Sequence, residues 1–82
     1  MTVLVVDDDA TVAEFCRRAL SDAGHAVLIA SSGEDALAAL DGHEIDVVLS
    51  DVRMPGMDGL ELLRHISRGN IGPDVVLMTG FA

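Results

Sequence analysis

Short, wholly apolar runs rich in β-branched residues alternate along this chain with longer stretches of helical spacing, and few folds tolerate that alternation. Val3-Leu4-Val5-Val6 is the first such run, with no polar residue for either face. A strand of that kind is buried on both sides. Ala26 to Ala30 and Val75 to Met78 repeat the pattern, and Ile45 to Leu49 does so apart from Asp46. One helical segment separates each run from the next. Strands joined through single helices pair in parallel, with right-handed crossovers. The order β-α-β-α-β-α-β therefore predicts an α/β protein with a doubly wound, open parallel sheet.

The punctuation agrees. From Ala10 to Ala23, Val12, Phe15, Cys16, Ala19, Leu20 and Ala23 recur at helical spacing and are expected to face inward. Gly24 follows where a helix C-terminus favours positive φ. Ser31-Ser32 offers a cap for a second helix that ends near Asp41-Gly42. Pro55-Gly56 is turn chemistry. Asp58-Gly59-Leu60-Glu61 has the form of a capping box, opening a third helix with Leu60, Leu63, Ile66 and Ser67 inward until Gly69.

At 82 residues the chain has room for one domain, 1–82. Fourteen acidic residues stand against five basic ones, all arginine, for a net charge of −9. That balance argues against a phosphate backbone as a direct partner, so no nucleic acid is expected. The single cysteine, Cys16, cannot form an internal disulfide. No apolar run approaches the ~20 residues of a membrane span, and no basic-then-apolar leader opens the chain. A cytoplasmic protein without membrane contact is the expectation.

In open parallel sheets, ligands bind beyond the carboxyl ends of the strands. Here those ends carry Asp7-Asp8-Asp9, Asp51 and Thr79. With the first and third strands adjacent, several carboxylates converge in one crevice. Like charges at that range repel unless a cation compensates. No lysine is present, and the arginines other than Arg53 fall on helix faces. A hard, oxygen-seeking ion such as Mg²⁺ is the natural compensator.

The segments VLVVDDD, DVVLSDVRMPGMDGLELL and VVLMTGFA, in this order and spacing, resemble the receiver domain of bacterial two-component response regulators. The resemblance covers essentially the whole chain and implies a flavodoxin-like fold. It implies that Asp51 is the phosphoacceptor, taking a phosphoryl group from a sensor histidine kinase or phosphotransfer protein and switching conformation. It implies Mg²⁺ held by Asp7, Asp8 and Asp51, Asp8 directly and Asp7 mainly through water, with the backbone carbonyl of Arg53 as a further ligand. Thr79 would donate its hydroxyl to the phosphoryl group, with the Gly80 amide nearby. Activity would be limited to self-phosphorylation and slow self-dephosphorylation, so the domain is not an enzyme in the usual sense. Family members continue through a further helix, a strand ending in lysine, and a last helix. The resemblance thus implies a receiver incomplete at its C-terminus, without the lysine of that role. A bare fourth strand would then offer an edge for a homodimer.

Other readings compete for the same residues. Asp9 and Asp58 read first as helix caps, and Cys16 as a small core residue. Met54 and Met57 read as shapers of the loop after Asp51. His25, His43 and His65 lie too far apart in the pattern to form a ligand set. Asp7-x-Asp9-x-Thr11 also fits the nucleophile motif of haloacid-dehalogenase-like phosphatases, with Thr79-Gly80 as the second motif. That reading leaves Asp51 without a role. A calcium loop starting at Asp7 fails because Val12 stands where glycine is required. The alternative of a different class is a non-catalytic receiver fragment acting as an interaction or assembly module.

Overall fold

A computed structural model describes residues 1–69 and 72–78. The elements run β1 (Thr2–Val6), α1 (Ala10–Asp22), β2 (Ala26–Ala30), α2 (Gly33–Gly42), β3 (Val47–Asp51), α3 (Gly59–Ser67) and β4 (Asp74–Met78). Among the described residues the four strands form one parallel sheet in the order β2-β1-β3-β4. The doubly wound, open parallel α/β architecture expected from the alternation is the one observed.

Side chains of β1 alternate between two cores. Val3 and Val5 pack with Ala13 of α1, while Leu4 and Val6 pack with Ala36 of α2 and Leu62 of α3. One helix covers one face and two cover the other. Val3 to Val6 of β1 are therefore all apolar, because neither side of this interior strand meets water. Among the described residues no helix is long and apolar enough to cross a membrane.

The helix ends are built as the residue types dictate. Asp9 caps α1, its Oδ1 accepting the N–H groups of Thr11 at 2.9 Å and Val12 at 3.3 Å. Ser32 Oγ accepts the Asp35 N–H at 3.0 Å to open α2. At the end of α1, Gly24 takes φ +96°. Its N–H reaches the Ser21 carbonyl at 3.0 Å, and that of His25 reaches Leu20 at 3.1 Å. That is a Schellman turn, which only a glycine adopts without strain.

Several local expectations are corrected. Spacing predicts Val12, Phe15 and Ala19 inward, but Ala13, Cys16 and Leu20 form the packed stripe, and Phe15 is 74% exposed. Both stripes satisfy a period of 3.6 residues. The small Ala13 lets α1 seat closely on β1, whereas Phe15 would hold it away. In α3 the same ambiguity resolves to Leu62 as the buried residue, with Leu60 and Ser67 exposed. β3 begins two residues later than its apolar run suggests and includes Ser50 and Asp51. β2 lies at an edge of the sheet, so Ala26 and Ile29 are exposed rather than buried. Asp58 supplies half of the expected capping box, its Oδ1 accepting the Glu61 N–H at 2.9 Å.

Candidate functional site

β1 and β3 lie side by side in register, Val6 opposite Ser50, so the residues that leave their carboxyl ends arrive together. These are Asp7 and Asp8 from β1 and Asp51 from β3. Carboxylate oxygens from the three lie within 4.8 Å of one another. Among the described residues this is the sole grouping of three or more acidic, histidine or cysteine side chains close enough to share an ion. His25, His43 and His65 do not join it or one another.

Burial divides the three carboxylates. Asp7 is 4% exposed, Asp51 is half-buried, and Asp8 stands in solvent. The Asp7 backbone N–H reaches the Ala30 carbonyl at 3.1 Å, tying it to the end of β2. Its Oδ1 accepts the N–H of Asp9 at 2.9 Å. Burial pushes the Asp7 carboxyl above the ordinary carboxylate range, and the charges of Asp51, Asp8 and Asp9 push it the same way. The bond from Asp9 opposes them. Asp51 Oδ1 accepts the N–H of Arg53 at 3.2 Å, and the Ser50 hydroxyl donates to the Asp51 carbonyl at 3.0 Å.

The loop after Asp51 is pinned at both ends. Val52 donates its N–H to Met78 at 3.0 Å and accepts that of Gly59 at 3.0 Å. Pro55-Gly56 makes the expected turn, with Gly56 at φ +73°. Met54 is buried in the core and Met57 packs beside it, which fits their role in shaping the loop. Arg53 is exposed on the rim of this loop, beside Asp58. Asp9 and Asp58 cap helices, as their positions suggested. Cys16 is partly buried against Val3, Val5 and Ala13, and burial raises its thiol, as a small core residue requires. Thr79 and Gly80 lie outside the described residues. Met78, the residue before them, pairs with Asp51 across β3 and β4.

The donor set suits a hard divalent cation. It offers only oxygen, it concentrates negative charge, and among the described residues the one ion pair, Glu14 with Arg17, lies elsewhere. Magnesium takes one or two carboxylates and keeps several waters, which an open crevice with one solvent-facing aspartate allows.

Gly59 was legible in the sequence only as the start of a helix. A Cβ there would press into the Asp51 carbonyl oxygen and approach the Val52 Cα to 3.0 Å. The contact is between backbones eight residues apart, so no side-chain pattern announces it. Glycine immediately after a capping aspartate is its one trace.

A parallel sheet with three acidic side chains converging at its carboxyl edge defines an open α/β domain with a candidate cation site at its strand ends. Residues 3–82 match the response regulator receiver domain family, and the chain belongs to it. The DNA-binding transcriptional regulator NtrC of Salmonella typhimurium is 46% identical over 77 residues, which is 94% of this chain and 16% of that protein. Response regulator MprA of a Mycobacterium species is 45% identical over 92% of this chain and 33% of its own length. The chain thus spans a third or less of these relatives. Among solved structures, the response regulator TrrA of Thermotoga maritima, in complex with Mg²⁺ and beryllofluoride, superposes with a TM-score of 0.91. It is 31% identical, over 99% of this chain and 70% of that one. A Francisella receiver domain superposes with a TM-score of 0.89 at 32% identity, over 95% of this chain and 64% of that one.

Proposed function

We propose that residues 1–82 form one receiver unit of a two-component phosphorelay, accepting a phosphoryl group on Asp51 from a phosphohistidine of a sensor kinase or phosphotransfer protein. The observation that carries this reading is the convergence of the Asp7, Asp8 and Asp51 oxygens within 4.8 Å. The Asp51 carboxylate is the half-buried member, at the end of a central strand and oriented by the Arg53 N–H. One of its oxygens would attack phosphorus while the phosphorus–nitrogen bond of the donor breaks and the imidazole nitrogen takes up a proton. Such transfers need little beyond positioning and neutralisation of charge.

Asp7, Asp8 and Asp51, with the Arg53 carbonyl, would hold Mg²⁺, which when bound offsets the charge spread over the transferring oxygens. Asp7 stays anchored through Oδ1 to the Asp9 N–H, which fixes the orientation of its carboxylate. Thr79 and Gly80 follow directly on Met78, the partner of Asp51 in the sheet. In this reading the Thr79 hydroxyl donates to the new phosphoryl oxygens, and β4 carries the change outward as the conformational switch. In this reading the domain works in the cytoplasm beside its phosphodonor.

Beryllofluoride with Mg²⁺ provides the test, read by fluorine NMR with intact-mass and peptide mapping after a small phosphodonor. The adduct is expected on Asp51 and is lost in Asp51→Asn. Label on Asp7 that survives Asp51→Asn overturns the reading in favour of a phosphatase-like nucleophile.

A further inference from the structure

Two glycines open helices at this end of the molecule, and each is packed so closely that a side chain would collide, but against different things. At Gly33 an added Cβ would lie 2.8 Å from the Met57 side chain. At Gly59 it would press into the Asp51 carbonyl oxygen and stand 3.1 Å from the Asp51 carbonyl carbon. The first neighbour is a flexible methionine. The second is the backbone of the residue that bears the central carboxylate.

We propose that Gly59 is a positioning residue for the carboxylate site: the bare first turn of α3 is a strut that sets where Asp51 stands relative to Asp7 and Asp8. This rests on the reading of Asp51 as the phosphoacceptor. The Gly59 N–H donates to Val52 at 3.0 Å, and the Asp58 carboxylate holds the same turn through Glu61 at 2.9 Å. Val52 is in turn tied to Met78 at 3.0 Å, so the strand end cannot retreat without breaking the β3–β4 ladder. Gly59 is buried, and the three atoms nearest an added methyl group all belong to the backbone of Asp51 and Val52. The displaced group would be the Asp51 peptide, and its carboxylate would move with it. A cation shared by three carboxylates demands near-ideal geometry, above all for a small ion such as Mg²⁺.

The experiment compares wild type, Gly59→Ala and Gly33→Ala under conditions where each is folded by amide spectra. Both substitutions should lower thermal stability, because both overpack. Only Gly59→Ala should weaken Mg²⁺ binding, by roughly tenfold or more, as when a supporting group of a metal site is lost. Gly33→Ala should stay within about twofold of wild type, since its clash falls outside the ligand set. Equal losses in the two variants, or none in Gly59→Ala, overturn the proposal.

If Gly59→Ala does not fold, Asp58→Ala and Asp58→Ser replace it. They carry the same charge, but serine keeps a helix cap and alanine does not. Weaker Mg²⁺ binding in Asp58→Ala than in Asp58→Ser supports the strut, and equal binding overturns it. A wild-type protein that takes neither Mg²⁺ nor beryllofluoride removes the functional reading instead. The strut is then judged on the metal-free shift of the Arg53 amide, which reports the bond to Asp51. Gly59→Ala must move that shift and Gly33→Ala must leave it.

Discussion

Burial and three neighbouring carboxylates act on Asp7 together, and the Asp9 N–H alone opposes them. The folded protein therefore holds the Asp7 proton to higher pH than the unfolded chain, whose ordinary value is near 3.8. Below that pH both states are protonated and Asp7 adds no penalty. As pH rises through the folded value, the unfolded chain has already released its proton, and stability falls. The penalty is therefore larger at neutral pH than in acid for metal-free protein. Asp7→Asn keeps an oxygen for the Asp9 N–H and removes the charge. It is expected to raise the melting temperature of chelator-treated protein at pH 7, with the gain shrinking toward pH 4. Mg²⁺ is expected to stabilise wild type and leave Asp7→Asn nearly unmoved. Paired melts at the two pH values, with and without the ion, check both signs, and a destabilised Asp7→Asn at pH 7 would contradict them.

Each helix shows where periodicity stops being informative. In α1 two stripes one residue apart are both apolar, and only the size of the residue that must touch β1 separates them. Leu62 of α3 is fully buried in the core under β1 and β3. Leu62→Ala is expected to cost about 2–5 kcal/mol in urea unfolding. Phe15→Ser, on the solvent side of α1, should stay within about 0.5 kcal/mol despite removing the larger side chain. Asp9→Ala removes the cap of α1 and should cost about 1 kcal/mol. The same contrast explains what could be read from the chain beforehand. Strand identity, parallel pairing and the acidic strand ends were legible, because Val3 to Val6 have no polar face to expose and Asp7-Asp8 and Ser50-Asp51 close apolar runs. Which helix face turns inward was not, since Val12 and Ala13 differ in volume rather than polarity. Gly59 was invisible as part of the site because its contact is with a peptide group, which every residue carries.

For the molecule as a whole, net charge and the carboxylate site pull on stability through the same ions and must be separated. A charge of −9 on 82 residues repels itself in the compact state more than in the expanded one. Any salt relieves this by screening, over a Debye length of ~10 Å at 0.1 M. Mg²⁺ does the same and, under the proposed function, would also bind the folded protein at the site in preference to the unfolded chain. Binding at 100 times the dissociation constant is worth about 2.7 kcal/mol and keeps growing with the logarithm of concentration, whereas screening levels off once the repulsion is removed. NaCl is therefore expected to raise the melting temperature of wild type and Asp8→Ala alike. At matched ionic strength, Mg²⁺ should add a further rise in wild type, growing with the logarithm of its concentration, that Asp8→Ala lacks. Asp8 is the suitable position because it is exposed, so its removal leaves the core intact. Equal Mg²⁺ shifts in the two proteins would mean that the ion acts on the acidic surface at large and that the three aspartates hold none.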